Sequence, residues 1–558
     1  MKKTQFFACF VILTVFGLGI RAQISLTQAD VERVIAQAVS QAAALNKKVT
    51  VSVVDKEGNR LGTFAMTGTA ATTKVGLLDG RVGGVENAVV PARWAAISKA
   101  GTGALLSSGG NAFTTRTASF IIQEHFPAGI DFTPGGPLFG VQFSSLGCSD
   151  VAISGLPLGL AGDAGGIPLY KNGTAVGGVG IEGDGFYTAD TNPRDNDQQF
   201  EEIIAVAASR GFEAPALIRA DNILVAGLRF PFANIETSQI PVAPFLPFGS
   251  MGAIDMDPVR AAPPTDFFPR TLNGVNGQAS NRFPTIAGTS LTASEVDSIL
   301  GAALATANIT RAGIRQPLGS NARVNISVVD LDGRVLGFIR QFDAPVFGFD
   351  VSVQKARSVN FMSRPDAAAK LAAAGTNAHP TLPVTFSSYV TRAAADGIAL
   401  NGSIAFSDRG FGFLHRPLFP DGINGTQAGP FSTTLANFSP FNNGLQVDLV
   451  FDRVGAPMAM CRGAVMEKRT VTPPFCQCTA IPELRNGLQI FAGGIPLYRG
   501  STLIGAIGIS GDGIEQDDLI AAGGANLFPA PLAMRSDNFF VRGVRLPFVK
   551  FPPRPFLP

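Results

Sequence analysis

Apolar residues recur at helical spacing in two distant parts of the chain. Each stretch opens with Ser-Leu-Thr, once ending at Thr27 and once at Thr292. The apolar positions that follow are Val31, Val34, Ile35 and Ala38 in the first part, and Val296, Ile299, Leu300 and Ala303 in the second. Because threonine is a favoured N-cap and this spacing gathers apolar side chains on one helix face, the pattern predicts a helix after each threonine.

A short apolar run and a glycine turn come next in both parts. Val-Ser-Val-Val-Asp ends at Asp55 and is followed by Gly58, whereas Ile-Ser-Val-Val-Asp ends at Asp330 and is followed by Gly333. Short runs rich in β-branched residues, broken by glycine, are typical of antiparallel strands joined by a turn. Each part is therefore predicted to continue as strand, turn and strand.

The hexapeptide Gly-Gly-Ile-Pro-Leu-Tyr occurs twice, at residues 165–170 and 493–498. Each copy runs into a predicted hairpin with a glycine-rich return strand, and then into a helix that begins near an acidic pair, Glu201-Glu202 or Asp517-Asp518. Both parts thus have the order helix, two strands, helix, hairpin, helix. This order predicts two diverged tandem copies of one α+β domain with mostly antiparallel sheets and packed helices.

The copies set the predicted domain boundaries. Two lysines, an apolar stretch and Arg-Ala at the amino end predict a secretory signal peptide, and hence a secreted or periplasmic protein. The segments are a signal peptide at 1–22, a first domain at 23–235, a Pro/Gly-rich surface linker at 236–289, a second domain with a long loop insertion at 290–550, and a tail at 551–558.

The amino-acid composition argues against two kinds of partner, nucleic acid and the membrane interior. Charged residues make up 15% of the 558 residues, the formal net charge is +2, and no run of like charges occurs. A nucleic-acid partner is therefore not expected. No segment beyond the signal is apolar over the roughly 20 residues of a membrane span, so the mature protein is predicted not to span a membrane.

The motifs together resemble the bacterial GlcG/HbpS-like family. The resemblance rests on Leu-Thr before the first helix, Val-Ser-Val-Val-Asp-x-x-Gly, Lys-Ala, Gly-Gly-Ile-Pro-Leu and the glycine-rich return strand; it is closer in the second copy, which contains Lys355-Ala356 and 493–511. It implies a profilin-like fold. Some members of the family bind heme or form homo-oligomers, so it also implies non-covalent heme or another small planar ligand as partner, and leaves a homo-oligomer open.

Histidine and tyrosine are the candidate heme ligands, because their side chains can hold heme iron. His125 and His415 flank similar Phe-Pro loops, and Tyr170 and Tyr498 are repeated in register. The alternatives are a surface-loop role for the histidines and a half-buried packing role for the tyrosines.

Two lysines are also repeated in register. Lys99 and Lys355 lie in predicted helices of small residues and are candidates for contact with a heme propionate or another anion. A solvated or helix-capping lysine is the alternative. The acidic pairs near the last helix of each copy are most simply explained by the positive end of the helix dipole.

Four cysteines follow the signal peptide. In an oxidising compartment, Cys461 is expected to form a disulfide with Cys476 or Cys478, while Cys148 has no local partner. The spacing Cys-x-Cys is not that of a zinc ribbon, so a metal site is the weaker alternative and the identity of any metal is unknown.

Two further motifs resemble a dinucleotide-binding loop and a calcium-binding loop, but the residues around them do not fit either kind of site. Residues 178–183 match Gly-x-Gly-x-x-Gly, but no helix follows directly, so close backbone approach, by the chain itself or by a flat ligand, explains the glycines better. The acidic loop 184–197 invites calcium, but its spacing is not that of an EF-hand.

The sequence shows no nucleophile elbow and too few histidines for a repeated catalytic triad, so no enzyme activity is expected. The sequence therefore predicts an exported tandem-domain protein that binds a small molecule, with heme or a porphyrin as the leading ligand. The alternative is a non-catalytic structural or interaction protein that keeps the fold without heme.

Overall fold

The computed structural model describes residues 24–193, 195–246, 249, 251–255, 267–454 and 477–557. The predicted signal peptide, Cys461 and Cys476 lie outside these residues. The helices are α1 (Gln28–Ala44), α2 (Ala92–Leu106), α3 (Thr115–Ile121), α4 (Phe200–Ala208), α5 (Ala293–Ile309), α6 (Phe347–Met362), α7 (Ala367–Ala373), α8 (Ser387–Ala395), α9 (Asp408–Phe413), α10 (Leu445–Val450) and α11 (Ile514–Ala525).

Within the described residues, the strands fall into two large sheets and three small ones. Those of the first half are β1 (Thr50–Asp55), β2 (Arg60–Met66), β3 (Thr72–Val75), β4 (Val89–Pro91), β5 (Gly166–Lys171), β6 (Thr174–Glu182), β7 (Phe186–Tyr187), β8 (Leu224–Val225) and β9 (Leu228–Arg229). The later ones are β10 (Gly252–Asp255), β11 (Phe267–Leu272), β12 (Val275–Ser280), β13 (Val324–Val329), β14 (Val335–Arg340), β15 (Gly494–Arg499), β16 (Thr502–Gly511), β17 (Phe540–Val541) and β18 (Val544–Arg545).

The two large sheets repeat one topology. Their strand orders are β10-β2-β1-β6-β5 and β11-β12-β14-β13-β16-β15, and all their pairings are antiparallel. Even the register irregularities coincide, since the hairpin shifts just before Tyr170 in one copy and just before Tyr498 in the other. The predicted α+β class with antiparallel sheets and packed helices is therefore confirmed, and the repeated topology is the one expected of two diverged copies.

The first helix of each copy begins where the sequence places it. The Thr27 hydroxyl accepts a hydrogen bond from the backbone N–H of Asp30, and the Thr292 hydroxyl accepts one from Glu295. In both cases the acidic side chain accepts a hydrogen bond from the threonine N–H in return, which completes a capping box.

Each large sheet lies between helices on both faces. Strands β1 and β13 are buried at every position, because α1 and α4, or α5 and α11, cover one face while α2 or α6 covers the other. Glycines in the return strand allow this approach: a Cβ at Gly178 would lie 2.1 Å from the Ala100 carbonyl oxygen, and one at Gly508 would lie 2.0 Å from that of Ser352. The Gly-x-Gly-x-x-Gly segment thus serves helix packing.

The predicted linker 236–289 is more ordered than its composition suggests. Residues 252–255 add strand β10 to the first sheet, and residues 267–280 form a hairpin that pairs with the second sheet through Gln278 and Arg340. The prediction of a surface linker is corrected here. Backbone pairing with an existing sheet edge orders a segment that shows no apolar periodicity of its own.

The two halves are covalently joined. Cys148 forms a disulfide with Cys478, 330 residues later, and the Arg357 guanidinium binds the Asp150 carboxylate with two hydrogen bonds of 2.8 Å. The expected pairing of Cys478 within the second half is therefore wrong, because the fold places its sulfur against the first half. No helix in the described ranges has the length and apolar character of a membrane span.

Candidate functional site

A buried lysine with three carboxyl groups lies at the centre of the first copy. The Lys99 ammonium is 2.6 Å from Glu201 Oε2, 2.7 Å from Asp163 Oδ2 and 3.1 Å from Glu182 Oε2. The side chains of all four residues are at most 2% exposed. We refer to these four residues as the Lys99 cluster.

Four separate elements supply this cluster. Lys99 lies on α2, Asp163 just before the repeated hexapeptide, Glu182 at the end of β6 and Glu201 in the first turn of α4. The close approach of α2 to the glycines of β6 brings the lysine to the end of that strand. The acidic pair at the start of α4 therefore does more than complement the helix dipole, because Glu201 neutralises a buried cation.

Burial dominates the electrostatics of the cluster. It raises the pKa of Asp163 to about 8 and raises the pKa of Glu201 well above its usual range, in spite of the nearby ammonium. Burial alone would lower the pKa of Lys99, but the three carboxyl groups outweigh it and raise that pKa well above its ordinary value. The carboxyl oxygens are close enough together to hold a metal ion, and the ammonium already occupies that position.

The second copy has a simpler version of the same site. Lys355 donates hydrogen bonds to Asp517 Oδ2 at 2.8 Å and to the Ile509 carbonyl at 2.7 Å, and its ammonium lies 4.4 Å from the centre of the Phe491 ring. Alignment of the hexapeptides and return strands puts Phe491 at the position of Asp163, and Ser510 at that of Glu182. The pair of lysine and helix acid is therefore common to both copies, whereas the two further carboxyl groups belong to the first.

A second ion pair is also repeated, and the sequence analysis missed it. Arg116 Nε lies 2.7 Å from Glu202 Oε1, and Arg409 Nε binds Asp518 in the other copy. The signal was present in the sequence as Phe-Thr-Thr-Arg at 113–116 and Phe-Ser-Asp-Arg at 406–409.

The acidic loop proposed for calcium is neutralised by the same arginine. Arg116 Nη1 lies 2.7 Å from Asp190 Oδ2 and 2.9 Å from Asp197 Oδ1. A guanidinium therefore occupies the position between these carboxylates that a cation would take.

Both predicted roles of the repeated lysines are corrected. Lys99 and Lys355 are 0% exposed, so neither is a solvated or capping residue. Their counter-ions are carboxylates of the protein itself, which leaves no charge for the propionate of a bound ligand.

The two histidines are buried, so the surface-loop alternative is wrong for both. His125 is 5% exposed, and its Nδ1 lies 2.8 Å from the Thr133 carbonyl oxygen. His415 is 0% exposed and lies between the rings of Phe411 and Phe431. Burial lowers the pKa of His415 to about 3, so its imidazole is neutral at physiological pH.

The repeated tyrosines are also core residues. The Tyr170 hydroxyl lies 2.8 Å and 3.0 Å from the carbonyl oxygens of Ser108 and Asn111, to which it donates its proton. Tyr498 is 2% exposed and packs in the core of the second copy. The packing role therefore describes both residues better than ligation, with more complete burial than the sequence suggests.

An apolar cavity of about 120 Å³ lies where the two halves meet. We call it the Tyr187 cavity after the tyrosine in its lining, whose buried hydroxyl lies on the side of Ser98 and the Lys99 cluster. The lining also includes Val75, Val85, Ala88, Val90, Ile122, Gln142, Phe143, Leu158, Leu160 and Gly162 from the first half, and Pro440, Phe441, Phe451 and Val454 from the second.

Sequence reasoning did not identify this cavity. Tyr187 belongs to a two-residue strand, and the part of the lining that the second half supplies, such as Phe441, lies more than 250 residues away in the sequence. No local pattern could have indicated that they meet.

Comparison with known proteins supports the resemblance found in the sequence. The family described as "Haem degrading protein HbpS-like" matches residues 460–526, and the GlcG/HbpS-like resemblance is confirmed over that segment. No curated protein matches the chain.

Two solved structures are similar to part of the chain. One is a crystal structure of a PduOC–heme complex, which is 20% identical, covers 34% of this chain and 98% of its own, and has a TM-score of 0.22. The other is the Klebsiella pneumoniae protein ORFY, which is 20% identical, covers 34% of this chain and 91% of its own, and has a TM-score of 0.20.

Proposed function

We propose that this chain, which contains a GlcG/HbpS-like segment in its second half, is an exported, non-catalytic protein that binds a planar, mainly apolar ligand of the heme or porphyrin type. The observation that carries the proposal is the Tyr187 cavity, since a largely apolar cavity at a domain boundary with a few polar residues in its lining is a usual form of small-molecule site. The disulfide between Cys148 and Cys478 supports an oxidising compartment.

Whether heme suits this cavity depends on two properties: a side chain that can bind the iron, and the volume of the cavity. Tyrosine is among the side chains that hold heme iron, and Tyr187 lies in a lining that is otherwise mostly apolar, so the residue types present fit heme. A cavity of this volume is close to the roughly 150 Å³ that receives one benzene ring, so the whole macrocycle requires the cavity to open. Bound heme would supply an iron centre, and Tyr187 is the residue of this lining that would hold it.

His125, His415, Tyr170 and Tyr498 are not part of this proposal. None of them lines the Tyr187 cavity, and the histidine and tyrosine rings are fixed in the cores around them. Tyr187, which has no equivalent in the other copy, therefore replaces these four residues as the candidate iron ligand.

The test is a titration of the purified mature protein, residues 23–558, with hemin, followed by absorbance. Saturable binding with a shifted Soret band is the expected result. A titration that does not saturate, with the spectrum of free hemin, overturns the heme proposal.

A structural or interaction role is the second candidate function. The charged groups that the copies share are neutralised inside the protein, so the fold is complete without a ligand, as in a structural or interaction protein. Large assemblies in size-exclusion chromatography, together with a flat hemin titration, would favour this function over ligand binding.

A further inference from the structure

We infer that Lys99 and Asp163 form an intramolecular amide bond, with the Glu201 carboxylate as the proton carrier. The bond would join α2 to the loop before β5 in the first copy. The inference does not depend on the proposed ligand, because no member of the Lys99 cluster lines the Tyr187 cavity.

The first copy has two buried carboxyl groups beside its lysine that the second copy lacks, and the proposed bond explains why they are there. The second copy folds around Lys355 with Asp517 alone in direct ionic contact, and carries Phe491 and Ser510 where the first copy has Asp163 and Glu182. Asp408 is a further buried carboxyl group near Lys355, but the fold forms without an acid at the positions of Asp163 and Glu182. Two additional buried carboxyl groups beside one lysine carry a desolvation cost that packing does not explain.

The carboxyl groups have different surroundings, which separates their roles. Glu201 Oε1 accepts hydrogen bonds from the backbone N–H groups of Gly183 and Asp184, and these stabilise its anion. Among the described residues no backbone N–H donates to Asp163, and Lys99 is its cationic neighbour. Within the same described ranges Glu182 also lacks backbone donors, but Asp163 lies nearer to Lys99 Nζ, at 2.7 Å against 3.1 Å. Asp163 therefore reacts as the neutral acid, and Glu201, held by its two N–H donors and with a raised pKa, accepts the proton.

Amide formation also requires that the amine and the acid be held close together. Lys99 Nζ is 2.7 Å from an oxygen of Asp163, and the side chains are fixed by burial, so the amine and the acid are held together without further ordering. Reactions between groups positioned in this way have effective molarities of about 10⁵ M or more.

The step balances without an oxidant or a cofactor. The Lys99 ammonium gives a proton to Glu201, and the neutral amine attacks Cγ of the protonated Asp163 carboxyl. The Nζ–Cγ bond forms, one Cγ–O bond breaks, and the oxygen leaves as water. The amide keeps one hydrogen, and Glu201 ends protonated.

Mass spectrometry of the denatured mature chain tests the inference. The wild-type mass is expected to fall short of the sequence mass, corrected for disulfides, by one water, and a tryptic digest is expected to contain a linked peptide that includes Lys99 and Asp163. Glu201→Gln is nearly the same shape and should restore the lost water, whereas Arg499→Met, which removes an exposed ion pair, should leave the bond intact.

Either of two results overturns the inference. One is a wild-type chain with its full mass and separate peptides for Lys99 and Asp163. The other is a mass deficit that persists in Lys99→Met, because the missing water would then come from elsewhere. Both are read from denatured protein, so neither depends on whether a variant folds.

Discussion

Cys148 of the first half is bonded to Cys478 of the second half across 330 residues of sequence. Both sulfurs lie in an apolar cluster that also contains Phe441 and Tyr187, so the bond is part of the boundary at which the Tyr187 cavity forms. The two copies thus behave as one covalently closed unit.

Loss of this disulfide is expected to destabilise the protein. Cys148→Ala should lower the free energy of unfolding by about 2–5 kcal/mol, because the bond restricts the unfolded chain over a long loop. Urea unfolding followed by fluorescence measures the change. Cys478→Ala should give the same loss and the double variant no more, since one bond is removed in each case; a peptide map that pairs Cys478 with Cys461 would contradict the account.

The strands, the capped helices and the tandem arrangement could be predicted because they depend on local signals. Thr27 and Thr292 mark helix starts through hydrogen bonds within one turn, and the identical hexapeptides fix the hairpins. The same locality explains the error at residues 252–255, whose order comes from pairing with a distant strand.

The site could be predicted only in part. Lys99 and the acid at Glu201 were singled out separately, because each recurs in register, but their contact spans 102 residues and depends on how α2 lies on the sheet. Asp163 and Glu182 have no counterpart in the second copy, so the repeat gave no signal for them. Tyr187 was missed because its importance arises from side chains of the other half.

The buried ion pair of the second copy is expected to be essential for stability. Lys355→Met leaves Asp517 and Asp408 buried without their cation, and should lower the free energy of unfolding by about 3–5 kcal/mol. Chemical denaturation at neutral pH measures it.

The matched control is the exposed pair at the protein surface. Arg499→Met removes an ion pair to Glu295 in which the arginine side chain is 54% exposed, and should cost less than about 1 kcal/mol. Similar losses in the two variants would show that burial does not determine the strength of these pairs.

His415 is expected to make stability fall in acid. Its pKa is lowered from 6.5 to about 3 in the folded protein, so the unfolded chain binds more protons between these values and stability is lost as the pH falls through them. At pH 4.5, His415→Phe should remove about 2–3 kcal/mol of the difference between pH 7 and pH 4.5.

Urea unfolding at the two pH values checks this. The carboxyl groups contribute equally to the wild type and the variant, so the difference between them isolates the histidine. His379→Ala, at a half-exposed ring against Phe451, is the control and should have a smaller effect. An unchanged pH dependence in His415→Phe would mean that the imidazole is not held neutral in the fold.

The central claim is that the Tyr187 cavity receives the ligand, and two tyrosine variants test it most directly. Tyr187→Phe removes the hydroxyl of the tyrosine that lines the cavity, and Tyr170→Phe removes a buried hydroxyl outside it. In parallel hemin titrations, the account predicts a shifted Soret band for the wild type and Tyr170→Phe, and its loss or displacement in Tyr187→Phe. The same band and affinity in all three proteins would contradict it.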